Sequence, residues 1–155
     1  MSYRVRGLDP APFAHLVGRS DAELAAAGVR RLVVDRAPGF PDRVTVSDLP
    51  PGETVLLLNY EHQPAPTPYR ARHAIFVGER PRAALDLVGS LPAALLARPI
   101  SLRGYDAAGE MVDAVLAEGA ALHGAVERLL GDDALAYVHA HYAARGCYAA
   151  LIERA

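Results

Sequence analysis

Residues 136–153 read AYVHAHYAARGCYAALIE, and the way this stretch folds back on itself sets the fold class. Two apolar-rich runs, 136–142 and 147–153, flank AARG, a turn segment closed by Gly146, so the pattern is that of a β-hairpin. On a strand, positions i and i+2 share a face, which turns His139 and His141 the same way, together with Tyr137. An even loop of residues 143–146 sets the two histidines opposite Tyr148 and Ala150 and sends Cys147 to the other face. An odd loop of residues 144–146 would bring Cys147 beside them. The even loop is the expected one.

Working outward, residues 100–106 and 110–116 form another hairpin around AAG, and residues 119–130 carry Ala120, Leu122, Val126, Leu129 and Leu130 at helical spacing before Gly131. Ser20 and Glu23 make a capping box and Gly28 a C-terminal stop, so residues 21–27 are a short helix. Residues 2–7, 29–35, 44–47, 54–60 and 73–77 read as strands, with turns at PGFP (38–41) and LPPGE (49–53). Residues 9–18 read as a helical turn and residues 83–97 as mostly helical. EHQPAPTPYRAR, residues 61–72, is too proline-rich for regular structure and is expected to be an ordered loop that displays polar groups. Strands arranged as adjacent hairpin pairs give an α+β fold, a single domain over residues 1–155, with a largely antiparallel sheet and helices packed on it. The strand ending at Tyr60 and the strand carrying His139 are expected in one sheet, which brings Glu61 or His62 near His139 or His141.

At 155 residues a chain of this size buries about two thirds of its unfolded surface, enough for one core. The net charge of −2 and the scattered arginines exclude a nucleic-acid footprint, so no nucleic-acid partner is expected. No window approaches the roughly 18 apolar residues of a membrane span, and the start MSYRVRGLDP has no apolar signal-peptide core. A cytoplasmic protein without a membrane partner is the expectation. All 16 basic residues are arginine, which removes Schiff-base chemistry and the lysine-dependent phosphate loop. One cysteine removes any internal disulfide and any paired-cysteine metal site.

Four motifs in order, PGFPDRV (38–44), LLLNYEHQPAPTPYRAR (56–72), SLRGYD (101–106) and HAHYAARGCYAALIER (139–154), resemble those of the bacterial domain-of-unknown-function family 1203, from near Leu8 to the last residue. The resemblance implies no particular reaction, because that family is defined by sequence. Its members often carry cysteine where this chain has Asp42, and some a second where it has Ala150, so any thiol mechanism of the family is left with Cys147 alone.

Two function classes follow. The first is a small-ligand- or protein-binding α+β module, its pocket lying between the 61–72 loop and the His139/His141 strand. Its ligand-binding residues would be Glu61, His62, Arg70, Arg103, Tyr105, His139 and His141. Arg70 and Arg103 can clamp an anion, or be neutralised by Glu61 or Asp106. No cofactor is expected for this class. The second is a metal-dependent enzyme, hydrolytic in one form, with zinc or another divalent metal on His62, His139 and His141 and Glu61 as base. Glu61 and His73 are further candidates for the third ligand. An exposed sheet edge makes a homodimer conceivable.

Overall fold

The computed structural model describes residues 2–155. In chain order its elements are β1 (Tyr3–Arg6), a 3-10 helix (Ala11–Leu16), α1 (Asp21–Ala26), β2 (Arg30–Val33), β3 (Pro41–Asp42), β4 (Ser47–Asp48), β5 (Thr54–Gln63), β6 (Ala71–Gly78), β7 (Asp86–Val88), α2 (Ala93–Leu96), β8 (Ile100–Tyr105), β9 (Met111–Ala117), α3 (Ala121–Leu130), β10 (Tyr137–Tyr142) and β11 (Cys147–Arg154). The fold is α+β, with antiparallel pairing dominant. A six-stranded sheet runs β7-β1-β11-β10-β8-β9 and a five-stranded sheet runs β2-β5-β6-β3-β4. Among the described residues one parallel contact, through Asp42 and Phe76, joins β3 to β6.

Helix α3 lays Leu122, Val126, Leu129 and Leu130 on the six-stranded sheet, where they meet Val138 and Ala140 of β10, Leu102 of β8 and Ile152 of β11. Each is essentially fully buried, and such burial contributes about 1.5 to 3 kcal/mol per side chain. That contact takes one face of β10, so alternation turns His139 and His141 to the opposite face. A second core packs Leu56 and Leu58 of β5 against Ile75 and Val77 of β6, with Leu24 of α1 and with Tyr148, which belongs to the other sheet. Tyr148 thus enters the core of the five-stranded sheet. A smaller cluster of Val34, Phe40, Leu49 and Val55 forms the remaining core.

The β10–β11 hairpin and the β8–β9 hairpin stand where the alternation puts them, and the Ser20–Glu23 capping box is complete in both directions. Four expectations need correction. Of residues 83–97 only Ala93–Leu96 is helical, while Asp86–Val88 pairs with β1; Gly89 at φ 74° and Pro92, in extended conformation before α2, break the run. Residues 44–47 are mostly turn, because the buried Asp42 carboxylate accepts from Thr45 N (2.8 Å) and Oγ1 (2.6 Å), and Val46 takes φ 49°. The 61–72 segment is shorter as a loop than its prolines suggest: β5 runs on to Gln63 and β6 begins at Ala71, leaving residues 64–70 irregular. Finally, the strands carrying Tyr60 and His139 lie in different sheets. The inner face of one sheet, not a shared ladder, brings their side chains together.

Candidate functional site

His62 sits on a β-bulge near the end of β5, between the pairs Glu61–Arg72 and Gln63–Ala71. The bulge leaves it without a cross-strand partner, and its ring lies on the same side as Leu56, Leu58 and Tyr60, toward Tyr148. From the facing sheet, β10 supplies His139 and His141, and β11 supplies Tyr148. His62 stacks on Tyr148 with ring centroids 5.5 Å apart and meets His141 edge-on at 4.9 Å. His139 lies 6.1 Å from His62, 6.2 Å from His141 and 5.1 Å from Tyr148. All three imidazoles are buried, His62 at 8%, His139 at 6% and His141 at 0% exposure.

Burial holds the rings neutral. His62 is pushed down to about 4, and His139 and His141 to about 3; loss of solvation is the main cause in each, and the Arg103 charge adds to all three. His141 lies with Nδ1 2.9 Å from the Gly146 carbonyl. A carbonyl only accepts, so Nδ1 carries the proton and Nε2 presents a lone pair. Among the described residues that lone pair has no partner, and neither do the two nitrogens of His62 or Nδ1 of His139. Four buried polar atoms therefore converge without hydrogen bonds, against the general rule that buried polar groups are satisfied.

Around the imidazoles, Arg103 of β8 lies opposite His139 in the ladder and donates from Nε to Ser101 Oγ at 3.3 Å. It makes no ion pair among the described residues. Tyr105 is buried with its ring centroid 5.0 Å from His139, and it stacks on Tyr137 at 5.4 Å. Tyr137 accepts a hydrogen bond from Gln63 Nε2 at 2.9 Å. A depression of about 460 Å³ reaches the cluster from solvent, lined by His62, Gln63, Pro64, Tyr137, His139 and Glu153 among others. Glu153 on its wall is paired with Arg6 at 2.8 Å.

The structure thus gathers His62, His139, His141, Arg103 and Tyr105, and removes Glu61 and Arg70. Those two form a forked pair, Nε to Oε2 and Nη2 to Oε1, each at 3.2 Å, at the surface. Glu61 is consequently spent on Arg70. His73 places Nδ1 3.1 Å from the Ala74 carbonyl. Cys147 lies on the opposite face, across from Tyr142, with its sulfur at 3.1 Å from Arg43 Nη2. His141 does face Tyr148, but a bulge after Ala140 sets His139 against Leu151 instead of Ala150. Gln63 and Tyr148 are site residues that sequence reasoning gave no role. Parity across the four-residue turn was the available signal for Tyr148.

Among the described residues no group of three or more His, Cys, Asp or Glu side chains is arranged to hold a metal ion. No helix among them is long and apolar enough to cross a membrane.

Fold and site together define an α+β protein of two facing sheets with a neutral imidazole cluster buried between them. The chain belongs to the family described as "Protein of unknown function (DUF1203)", whose model matches residues 39–154. The match begins at Gly39, not near Leu8. No curated protein matches the chain, and no solved structure does.

Proposed function

We propose that the protein is a small-ligand-binding module whose ligand enters the depression beside residues 64–65 and hydrogen-bonds His62 and His139, with an acidic group directed at Arg103. The observation that carries this reading is the convergence of four unpartnered buried imidazole nitrogens. An unsatisfied buried polar group costs about 1 to 3 kcal/mol, so a cluster of them is a cost that a bound polar molecule offsets. Neutral imidazoles offer both donors and acceptors, and Arg103 supplies a cation that no carboxylate in the described residues pairs.

The test titrates a series of small carboxylates, from formate to citrate, into the protein while histidine ring signals are followed by NMR. At least one acid is expected to shift the His62 and His139 rings saturably, and His139→Leu to abolish the shift without lowering the melting temperature. Rings indifferent to every acid in the series would overturn this reading.

A second reading is zinc on His62, His139 and His141. It is favoured by the Nδ1–H to Gly146 carbonyl bond of His141, the arrangement that orients a ligating imidazole through Nε2. The three rings would have to move to converge. Glu61, bound to Arg70, is not placed to act as base for it. Metal analysis of the purified protein, with melts in the presence of a chelator, separates the two readings.

A further inference from the structure

On the opposite face of the β10–β11 hairpin, away from the imidazoles, a cavity of about 400 Å³ opens beside the 143–146 turn. Arg43, Tyr142, Arg145 and Cys147 lie in its wall, with Phe40 and Phe76 as an apolar flank. Arg43 is only 1% exposed. It donates from Nε to the Tyr148 carbonyl at 2.6 Å, from Nη1 to the Pro41 carbonyl, and from Nη2 to Cys147 Sγ at 3.1 Å. A guanidinium has five N–H groups, so these bonds leave donors over on a buried cation. No carboxylate among the described residues forms an ion pair with it.

Tyr142 is 5% exposed and its hydroxyl has no hydrogen-bond partner among the described residues. The Arg43 and Arg98 guanidinium carbons stand 4.8 Å and 5.2 Å from its ring centre. Arg98 is neutralised by Asp48, Nη2 to Oδ1 at 2.6 Å and Nη1 to Oδ2 at 2.8 Å, and Arg36 by Asp35 at 3.0 Å. Arg145, on the turn, is exposed and has no such partner among the described residues. Among the described residues neither Arg43 nor Arg145 makes an ion pair, and the nearby Asp42 carboxylate acts on Arg43 only through its field. Burying an unpaired charge is unfavourable unless something in the site answers it.

We propose that this cavity binds a phosphate group, held by Arg43, Arg145 and the Tyr142 hydroxyl. A dianion meets two guanidinium groups that no carboxylate pairs directly among the described residues, and their forked N–H geometry matches phosphate oxygens. Burial raises the Tyr142 phenol to about 12, so it stays protonated and serves as a donor. The Phe40 and Phe76 flank leaves room for an apolar body, so free phosphate and a phosphate monoester share the same recognition chemistry. The site stands apart from the imidazole cluster and does not depend on what binds there.

Inorganic phosphate and phenyl phosphate are titrated calorimetrically at constant ionic strength, with chloride as the control for screening. Saturable one-to-one binding is expected. Tighter binding of phenyl phosphate assigns the site to a monoester, and equal affinities assign it to free phosphate. Arg145→Gln and Tyr142→Phe break no hydrogen bond or ion pair found within the protein, so both keep the fold, and each weakens binding about tenfold, the worth of one charge-assisted hydrogen bond. His62→Leu leaves the affinity unchanged. The absence of saturable binding by either probe, or an affinity that both cavity variants leave intact, or one that His62→Leu abolishes, overturns the proposal.

Discussion

The rings of His62 and Tyr148 lie nearly parallel, 14° apart with centroids at 5.5 Å, although the two residues come from strands of different sheets. Tyr148 also meets His139 and His141 edge-on, so one phenol ring touches every imidazole of the cluster. It is the side chain of the six-stranded sheet that enters the core of the other. Tyr148→Ala should therefore uncouple the sheets and cost about 3 to 5 kcal/mol, the range for truncating a large buried aromatic. Tyr148→Phe should cost less than about 1 kcal/mol, since the ring carries the packing. Urea unfolding of both variants checks the contrast.

Stability should fall as pH drops below the ordinary histidine range. The three imidazoles titrate near 6.5 in the unfolded chain but only at about 4 (His62) and about 3 (His139 and His141) in the folded one. Between those values the unfolded state binds more protons, so the free energy of unfolding rises with pH and levels off above about 6.5. Each group contributes at most about 1.4 kcal/mol per pH unit. Denaturant midpoints at about pH 5 and 7 should differ markedly in the wild type. They should draw together when leucine replaces all three histidines, and an unchanged pH slope in that variant would refute the assignment.

Gly109 closes the β8–β9 turn at φ 85°, and a Cβ there would stand 2.3 Å from Ala65 Cβ. Its carbonyl also accepts from Thr67 Oγ1 at 3.2 Å. Gly109→Ala should cost at least about 1 to 2 kcal/mol from the left-handed backbone alone. It should also push residues 64–70 off the mouth of the depression. Faster amide exchange at Ala65 and Thr67 is the expected signature, and an unaltered exchange pattern would refute it.

Arg154, next to the end of the chain, donates to the carbonyls of Leu130 (2.9 Å), Leu135 (2.7 Å) and Asp132 (2.7 Å). Carbonyls at and just beyond the C-terminus of a helix lack intrahelical partners and carry partial negative charge, so a planar cation there fits both needs. Arg154→Ala should lower stability by about 1 kcal/mol or more. Arg154→Lys should recover only part of it, because an ammonium cannot reproduce the three-way fork. Thermal melts of the two variants provide the comparison.

Local rules were enough for much of this fold. The Ser20–Glu23 box, the alternation of residues 137–142 and the helical spacing of Leu122, Val126 and Leu129 each act within a few residues of themselves, and each element formed as read. What sequence could not carry was set by distant groups. The carboxylate of Asp42 bends residues 43–46 and also receives Gly78 N at 2.8 Å, while residues 86–88 become a strand because β1 offers them an edge. The histidine cluster was legible as a meeting of His62 with His139 and His141, since imidazoles in an apolar chain gain by sharing a site. The route to that meeting, sheet against sheet, was not, because nothing local distinguishes a strand's partner in the ladder from its neighbour across a core. Glu61 was lost to Arg70 because neighbouring residues of a strand point to opposite faces, so adjacency to His62 does not bring the two side chains to one site.

The 143–146 turn joins two strands whose faces do unrelated chemistry, imidazoles and Tyr148 inward, guanidinium, phenol and thiol outward. Sequence drift in this turn is consequently quantised. Substitutions in the turn preserve which side chains meet, whereas adding or deleting one residue without a compensating bulge transposes β11, carrying Cys147 in among the histidines and Tyr148 out toward α3. Descendants of this chain are free to vary the letters of the turn, but an odd change in its length keeps both environments only where a bulge, such as the one after Ala140, restores the parity.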